Sequence, residues 1–267
     1  MCMILNIATV QHSVGSDVEA NFVSIMKYIR QAKHENADIV HFPECNLSGY
    51  AGIDFDDIAT VDVDLLDRSF NKIRTLAKEI DIHVIIGSHH FVSDQERPFN
   101  SLFLINNKGE IQARYDKRHL TQAPEFDHLY YHPGSQSIMF DVKGVKCGLL
   151  ICHEWRYPEF YREYLKQGVR LIFQSFYDGS LTTEQYLKEG KELGDLITGG
   201  MRGNAANNYM WISVSNTSRK ESCYSSFVLR PDGSVSGRLA RNRSGMMITK
   251  IDFEKKYADP SRKWRGR

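Results

Sequence analysis

The chain has 267 residues, of which 42% are apolar and 25% charged, and its formal net charge is +1. That length supports a sizeable core in one α/β domain spanning 1–267. The near-neutral balance excludes a strong electrostatic pull towards nucleic acid or a membrane surface.

Met3 to Val10 reads as a strand ending in a polar Gln11-His12-Ser13 turn. Asp17 can cap a helix whose Val18, Phe22, Ile25, Met26, Ile29 and Ala32 share one face. The run Ala37 to Pro43 is a second strand with Glu44 at its end, so strand, helix and strand form a parallel βαβ unit. Leu65 to Ile80 reads as a helix and Ile82 to Phe91 as the next strand. Ser101–Ile105 and Ile111–Tyr115 flank a turn containing Gly109, and Ile138–Phe140 and Val145–Cys152 flank Lys143-Gly144, so antiparallel hairpins join the parallel units and the sheets are mixed. Glu159 to Lys166 is helical and ends at Gly168, with a strand at Val169–Phe176. Glu184 to Asn208 reads as helical pieces broken by Gly190, Gly194 and Gly199-Gly200. Tyr209–Val214 is a strand, Phe227–Leu239 a hairpin around Pro231-Asp232-Gly233, and Met246–Ile251 the last strand. The basic end, Arg262-Lys263-Trp264-Arg265-Gly266-Arg267, reads as a solvated tail.

The five cysteines are Cys2, Cys45, Cys147, Cys152 and Cys223, an odd number with neither a disulfide framework nor the Cys-x-x-Cys spacing of a metal site. A reducing compartment follows, and Met1–Val10 lacks the basic, apolar pattern of a leader. With no apolar run near the ~20 residues that span a bilayer, the expected location is cytoplasmic.

Cys152 stands where an apolar strand meets Pro158-Glu159 and an amphipathic helix. Backbone N–H groups and the positive helix end there favour a thiolate. The plain alternative is a buried cysteine acting as a small hydrophobe. Glu44 lies at a core edge after Ile39-Val40-His41-Phe42-Pro43, and Lys117 just past a hairpin strand, where a solvated turn is the plain reading. Together the three make a nucleophile, a base and a cation. A free thiol of pKa ~8.5 needs such partners at neutral pH, and no Asn or Asp is identifiable to orient His153, His119, His89 or His90 as the base.

Three segments resemble the nitrilase, or carbon–nitrogen hydrolase, superfamily: Phe42-Pro43-Glu44 with Ser48-Gly49-Tyr50, Tyr115-Asp116-Lys117-Arg118-His119-Leu120, and Gly148 to Glu159. The likeness continues through Gly168–Phe176, Asn208–Asn216 and Ser226–Gly233. It implies a four-layer αββα sandwich, association as a homodimer or higher homo-oligomer, and a Glu–Lys–Cys triad at Glu44, Lys117 and Cys152. It also implies amide cleavage through a thioester, with no metal or organic cofactor. Many members carry a second glutamate that positions substrate. Glu125, eight residues beyond Lys117, has the spacing for it, and Asp127 is the nearby alternative.

The pattern departs from the family at His153 and Trp155, and at Asn207, which stands where a structural Glu is usual. Tyr50, His153, Trp155 and Phe176 are the candidate substrate-binding residues. The leading expectation is an amidohydrolase for a small linear amide or carbamoyl compound. Nitrile hydrolysis, acyl transfer and a non-catalytic scaffold that keeps the fold are the alternatives.

Overall fold

The computed structural model describes residues 3–93, 95–121, 126–259 and 261–265. The first half alternates β1 (Ile4–Gln11), α1 (Val18–His34), β2 (Ile39–His41), α2 (Val63–Glu79) and β3 (His83–His90), and then turns antiparallel through β4 (Phe99–Ile105) and β5 (Ile111–Asp116). A one-turn helix, α3 (Asp127–Tyr130), leads to the second half. That half runs β6 (Met139–Val142), β7 (Val145–Ile151), α4 (Pro158–Lys166), β8 (Leu171–Ser175), α5 (Thr183–Asn208), β9 (Trp211–Ser215), β10 (Phe227–Leu229) and β11 (Val235–Arg238), and β12 (Gly245–Asp252) closes the chain.

Two six-stranded mixed sheets result, ordered β12-β1-β2-β3-β4-β5 and β11-β10-β9-β8-β7-β6. Parallel pairs occur where a helix makes the crossover (β1 with β2, β2 with β3, β7 with β8, β8 with β9), and the remaining pairs are antiparallel. With helices outside both sheets this is an αββα sandwich.

Strand periodicity distributes the core. On β1, Leu5 and Ile7 face the second sheet, while Ala8 and Val10 join the apolar faces of α1 and α2. Asp17 caps α1 by accepting the Ala20 N–H at 3.0 Å, and Asp62 caps α2 through the Leu65 N–H at 2.8 Å. A polar seam crosses the interior between the sheets: His41 bonds Ser213 through Nδ1 and Ser175 through Nε2, each at 2.9 Å, and Thr9 meets Ser213 at 2.8 Å. These bonds fix how one sheet lies on the other, which places the strand ends that carry the site.

The second half holds one departure from the expected elements. Thr183–Asn208 is a single 26-residue helix and not a set of pieces. Its start is fixed by Thr182, which accepts the Gln185 N–H while the Gln185 side chain accepts the Thr182 N–H. Two of its glycines allow close packing: a Cβ at Gly194 would lie 2.6 Å from the Cys223 carbonyl oxygen, and one at Gly200 2.4 Å from the Trp155 ring.

Candidate active site

Glu44, Lys117, Cys152 and Tyr177 all lie just past C-terminal strand ends, following β2, β5, β7 and β8. The Glu44 N–H donates to the Phe176 carbonyl at 3.2 Å, which brings the edges of the two sheets together. Open α/β sheets keep their ligand crevices at such ends.

The Lys117 side chain is fully buried, and four oxygens surround its three N–H donors: Glu44 Oε1 at 2.9 Å, Thr121 Oγ1 at 2.8 Å, Asp127 Oδ2 at 3.0 Å and, farthest, Tyr50 OH at 3.2 Å. Burial alone would push this ammonium down, but the Asp127 and Glu44 carboxylates hold it well above the usual lysine range, so it stays charged. Asp127 shows the converse balance. Burial would raise its carboxyl, but Lys117, the Tyr50 hydroxyl at 2.7 Å and the Thr121 N–H at 2.6 Å hold it below the ordinary range.

Glu44 is also fully buried. Its Oε1 accepts from Lys117 and from Asn100 Nδ2 at 2.8 Å, while Oε2 is buried with no partner. Burial raises this carboxyl above the usual glutamate value despite the Lys117 charge beside it. A carboxylate with one free oxygen and a raised affinity for protons is suited to proton transfer.

Cys152 follows β7 with a positive φ of 41° after an extended Ile151, and opens a 3₁₀ turn over Cys152–Arg156. A non-glycine residue at positive φ costs on the order of 1–3 kcal/mol and is found where the surroundings hold it. Gln174 Nε2 donates to its carbonyl at 3.2 Å, and the Tyr177 N–H donates to its sulfur. The expected thiolate is not the resting form. Burial, with the Glu44 charge adding to it, pushes this thiol well above the usual range, and Lys117 only partly offsets them. Attack by this sulfur therefore needs a base.

The remaining sequence candidates fall in different places. Tyr50 is buried with its hydroxyl on Lys117 and Asp127. His153 is half-buried, and burial, Lys117 and Arg156 lower its pKa to about 4, so the ring is neutral at physiological pH. Trp155 packs on Gly200 of α5 with Arg156 over its ring, and Phe176 is a core residue edge-on to Tyr224 at 5.5 Å, with its backbone carbonyl at the site. Glu125 lies outside the described residues. Asn207 is exposed near the end of α5, where a surface Asn meets no packing demand.

Asn100, Thr121, Glu154 and the Tyr177 N–H were not identified as site residues from the sequence. Only Glu154, inside the cysteine segment, lay in a recognisable motif. Among the described residues no three His, Cys, Asp or Glu converge as a metal site, and the four described cysteines are free thiols. A cavity of about 470 Å³ lies away from this cluster, between α2 and β3–β5, and includes Phe70, His90 and Arg114 in its lining.

A fold of this kind, with a buried Glu–Lys pair beside a cysteine at a strand end, defines a class of αββα proteins. The carbon–nitrogen hydrolase family model matches residues 6–260, and the chain belongs to that family. It is similar to the 2-oxoglutaramate amidase of Bacillus subtilis (strain 168), at 27% identity over 170 residues, covering 63% of this chain and 63% of that protein. It is also similar to omega-amidase NIT2 of Homo sapiens, at 25% identity over 260 residues, covering 93% of this chain and 89% of that one. A solved mutant of the amidase from Nesterenkonia sp. AN1, showing covalent addition of the acetamide moiety of fluoroacetamide at the active site cysteine, shares the fold with a TM-score of 0.79. Its identity is 20%, with 93% of this chain and 90% of that chain covered. The match thus spans just under two thirds of the Bacillus relative's length. No described helix is long and apolar enough to cross a membrane.

Proposed function

We propose that the chain is a cysteine amidohydrolase acting on a small linear amide or carbamoyl compound, with the domain 1–267 working as one unit. The observation that carries this reading is the buried Lys117–Glu44 ion pair, with one Glu44 oxygen left free, acting electrostatically on a protonated Cys152.

Cys152 sulfur attacks the carbonyl carbon while Glu44 takes the thiol proton. The oxyanion forms beside the Lys117 ammonium and the His153 backbone N–H, where losing one donor typically costs ~10²–10³ in rate. The C–N bond then breaks, the nitrogen leaves as ammonia or an amine with the proton from Glu44, and a thioester remains. Water attacks the thioester, Glu44 takes its proton, and the thiol is regenerated as the acid leaves. Asp127 keeps Lys117 cationic, and Glu125 is the proposed substrate-positioning acid. Tyr50 and His153 are the proposed pocket wall. The relatives' names support the class of bond, and among ω-amides, carbamoylamines and short aliphatic amides the ω-amides are the first to test.

Ammonia release from that panel tests the reading, with mass spectrometry to detect an acyl adduct on Cys152. Activity in the wild type and none in Cys152→Ala is expected; turnover by Cys152→Ala at the wild-type rate would sink the scheme. Run on the same panel, Asp127→Asn should lower kcat and Glu125→Gln should raise KM. If Glu125→Gln leaves both constants intact, Glu125 is only a solvated charge.

A further inference from the structure

Glu154 has no part in the chemistry above, yet it is completely buried and touches both segments that carry it. Its Oε2 accepts the Ile151 N–H at 2.7 Å. Its Oε1 accepts the Arg118 N–H at 2.7 Å, the Tyr115 hydroxyl at 2.8 Å and the His119 N–H at 3.2 Å. The donors flank Lys117 on both sides, at 115 and at 118–119, and Cys152 on its strand side, at 151. One side chain therefore fastens the lysine segment of the first sheet to the cysteine turn of the second.

Burial raises the Glu154 carboxyl above the usual glutamate value, and its donors act against that. Four hydrogens point at its two oxygens, three of them at Oε1, and such a donor set favours the ionised form. Three of the four come from backbone N–H groups, which cannot turn round to accept. The Arg118 guanidinium is engaged with Glu163 at 3.0 Å, lies on the Phe160 ring and donates to the Tyr115 hydroxyl at 3.3 Å. Glu154 is thus a buried anion held chiefly by aligned backbone dipoles, and its isosteric amide would turn an NH₂ group towards N–H donors.

We propose that Glu154 is a positioning residue whose ionised carboxylate sets the separation of the Lys117 ammonium and the Cys152 sulfur. This rests on the reading of Cys152 as nucleophile and Lys117 as its cationic partner. A misplacement near 1 Å between reacting groups costs on the order of 10²-fold in rate. Of the proposed pocket wall, Tyr50 lies on another segment and only His153 shares the turn with Glu154, so the loss falls mainly on kcat.

The test measures kcat, KM and the iodoacetamide alkylation rate of Cys152 in Glu154→Gln, Glu154→Asp and Tyr115→Phe. Glu154→Gln should lose about 10²-fold in kcat with KM changed less than about threefold. Glu154→Asp, which keeps the charge, should recover part of that loss. Alkylation at pH 7 should slow about tenfold in Glu154→Gln, with its pH profile moved upwards, because Lys117 no longer assists thiolate formation. Tyr115→Phe removes one donor of four and should cost about tenfold in kcat; it decides the matter if Glu154→Gln does not fold. Wild-type kcat and alkylation in either Glu154→Gln or Tyr115→Phe overturns the proposal, as does a loss confined to melting temperature. If the wild type cleaves no amide, the hydrolase reading fails separately, while the alkylation rates still report on the Glu154 tie.

Discussion

At the scale of single residues, Glu44 is the group whose environment matters most, because its usefulness depends on being ionised. Burial raises its carboxyl, whereas the Asn100 and Lys117 donors act to lower it. In the proposed mechanism Glu44 is the base, so as pH falls through the raised value it is protonated and activity is lost on the acid side. Removing the Asn100 donor destabilises the charged form, so the acid limb must move to higher pH. Asn100→Leu should therefore lose up to about tenfold in kcat/KM on the acid limb, the scale of one hydrogen bond to a charged group. The deficit should shrink as pH rises; a deficit equal at every pH would show that Asn100 acts only through packing. Glu44, Lys117 and Cys152 were legible because each sits at a strand end inside a distinctive segment. Asn100 was not, since its contact with Glu44 spans 56 positions and depends on β4 pairing with β3, which in turn pairs with β2. Asp127 was visible only as an alternative to Glu125, because spacing along a loop does not tell that its carboxylate meets Lys117.

At the scale of elements, α5 shows why glycine can mislead. Intrinsic propensity penalises each glycine by up to about 1 kcal/mol relative to alanine, which makes a break plausible when several occur in one stretch. The helix persists because these positions do not play one role. At Gly194 a Cβ would strike the Cys223 backbone, which cannot turn aside, while at Gly199 nothing lies within 4 Å. Gly199→Ala should then stabilise the protein by up to about 1 kcal/mol. Gly194→Ala should destabilise it, since overpacking of about 1–3 kcal/mol outweighs the propensity gain. Chemical denaturation of both variants measures the two signs, and a stabilising Gly194→Ala would mean that the 223 segment can move away. That segment follows Asp178, whose side chain receives the Cys223 N–H at 2.5 Å, so any movement there should also be felt beside the site.

At the scale of the whole molecule, three buried histidines couple folding to pH. Burial lowers His12 to about 4 and His41 and His89 to about 3, against 6.5 when exposed. Below pH 6.5 the unfolded chain binds protons that the folded chain refuses, so each histidine weakens the fold as pH falls towards its folded value. Asp178, raised by burial to about 6, acts in the opposite sense between about pH 4 and 6, which makes the total slope a poor probe. The difference between wild type and His12→Phe isolates one term. His12 is buried beside the Tyr28 and Phe42 rings, where an aromatic replacement can pack. From pH 6 to pH 4.5 the variant should gain on the wild type by about 1 kcal/mol per pH unit. A gap that stays constant with pH would mean that His12 accepts its proton in the folded protein.

Strand and helix order, the mixed character of the sheets and the placement of Glu44, Lys117 and Cys152 at strand ends followed from the sequence by itself. Hydrophobic period, caps and turns are local signals, and a motif keeps its residues in one short stretch. The tertiary structure decided what those signals do not contain. The thiol at Cys152 was expected to be favoured as thiolate by its place at a helix start, but desolvation and the Glu44 charge outweigh that local effect. Lys117 stays charged in a fully buried position because Glu44 and Asp127, 73 positions before it and 10 after it, meet its ammonium. Trp155 turns towards Gly200, and Glu154 towards the donors around Lys117, because α5 and the end of β5 lie against the cysteine turn. Protonation state and side-chain direction depend on groups far apart in the chain, and only packing the two sheets brings those groups into contact.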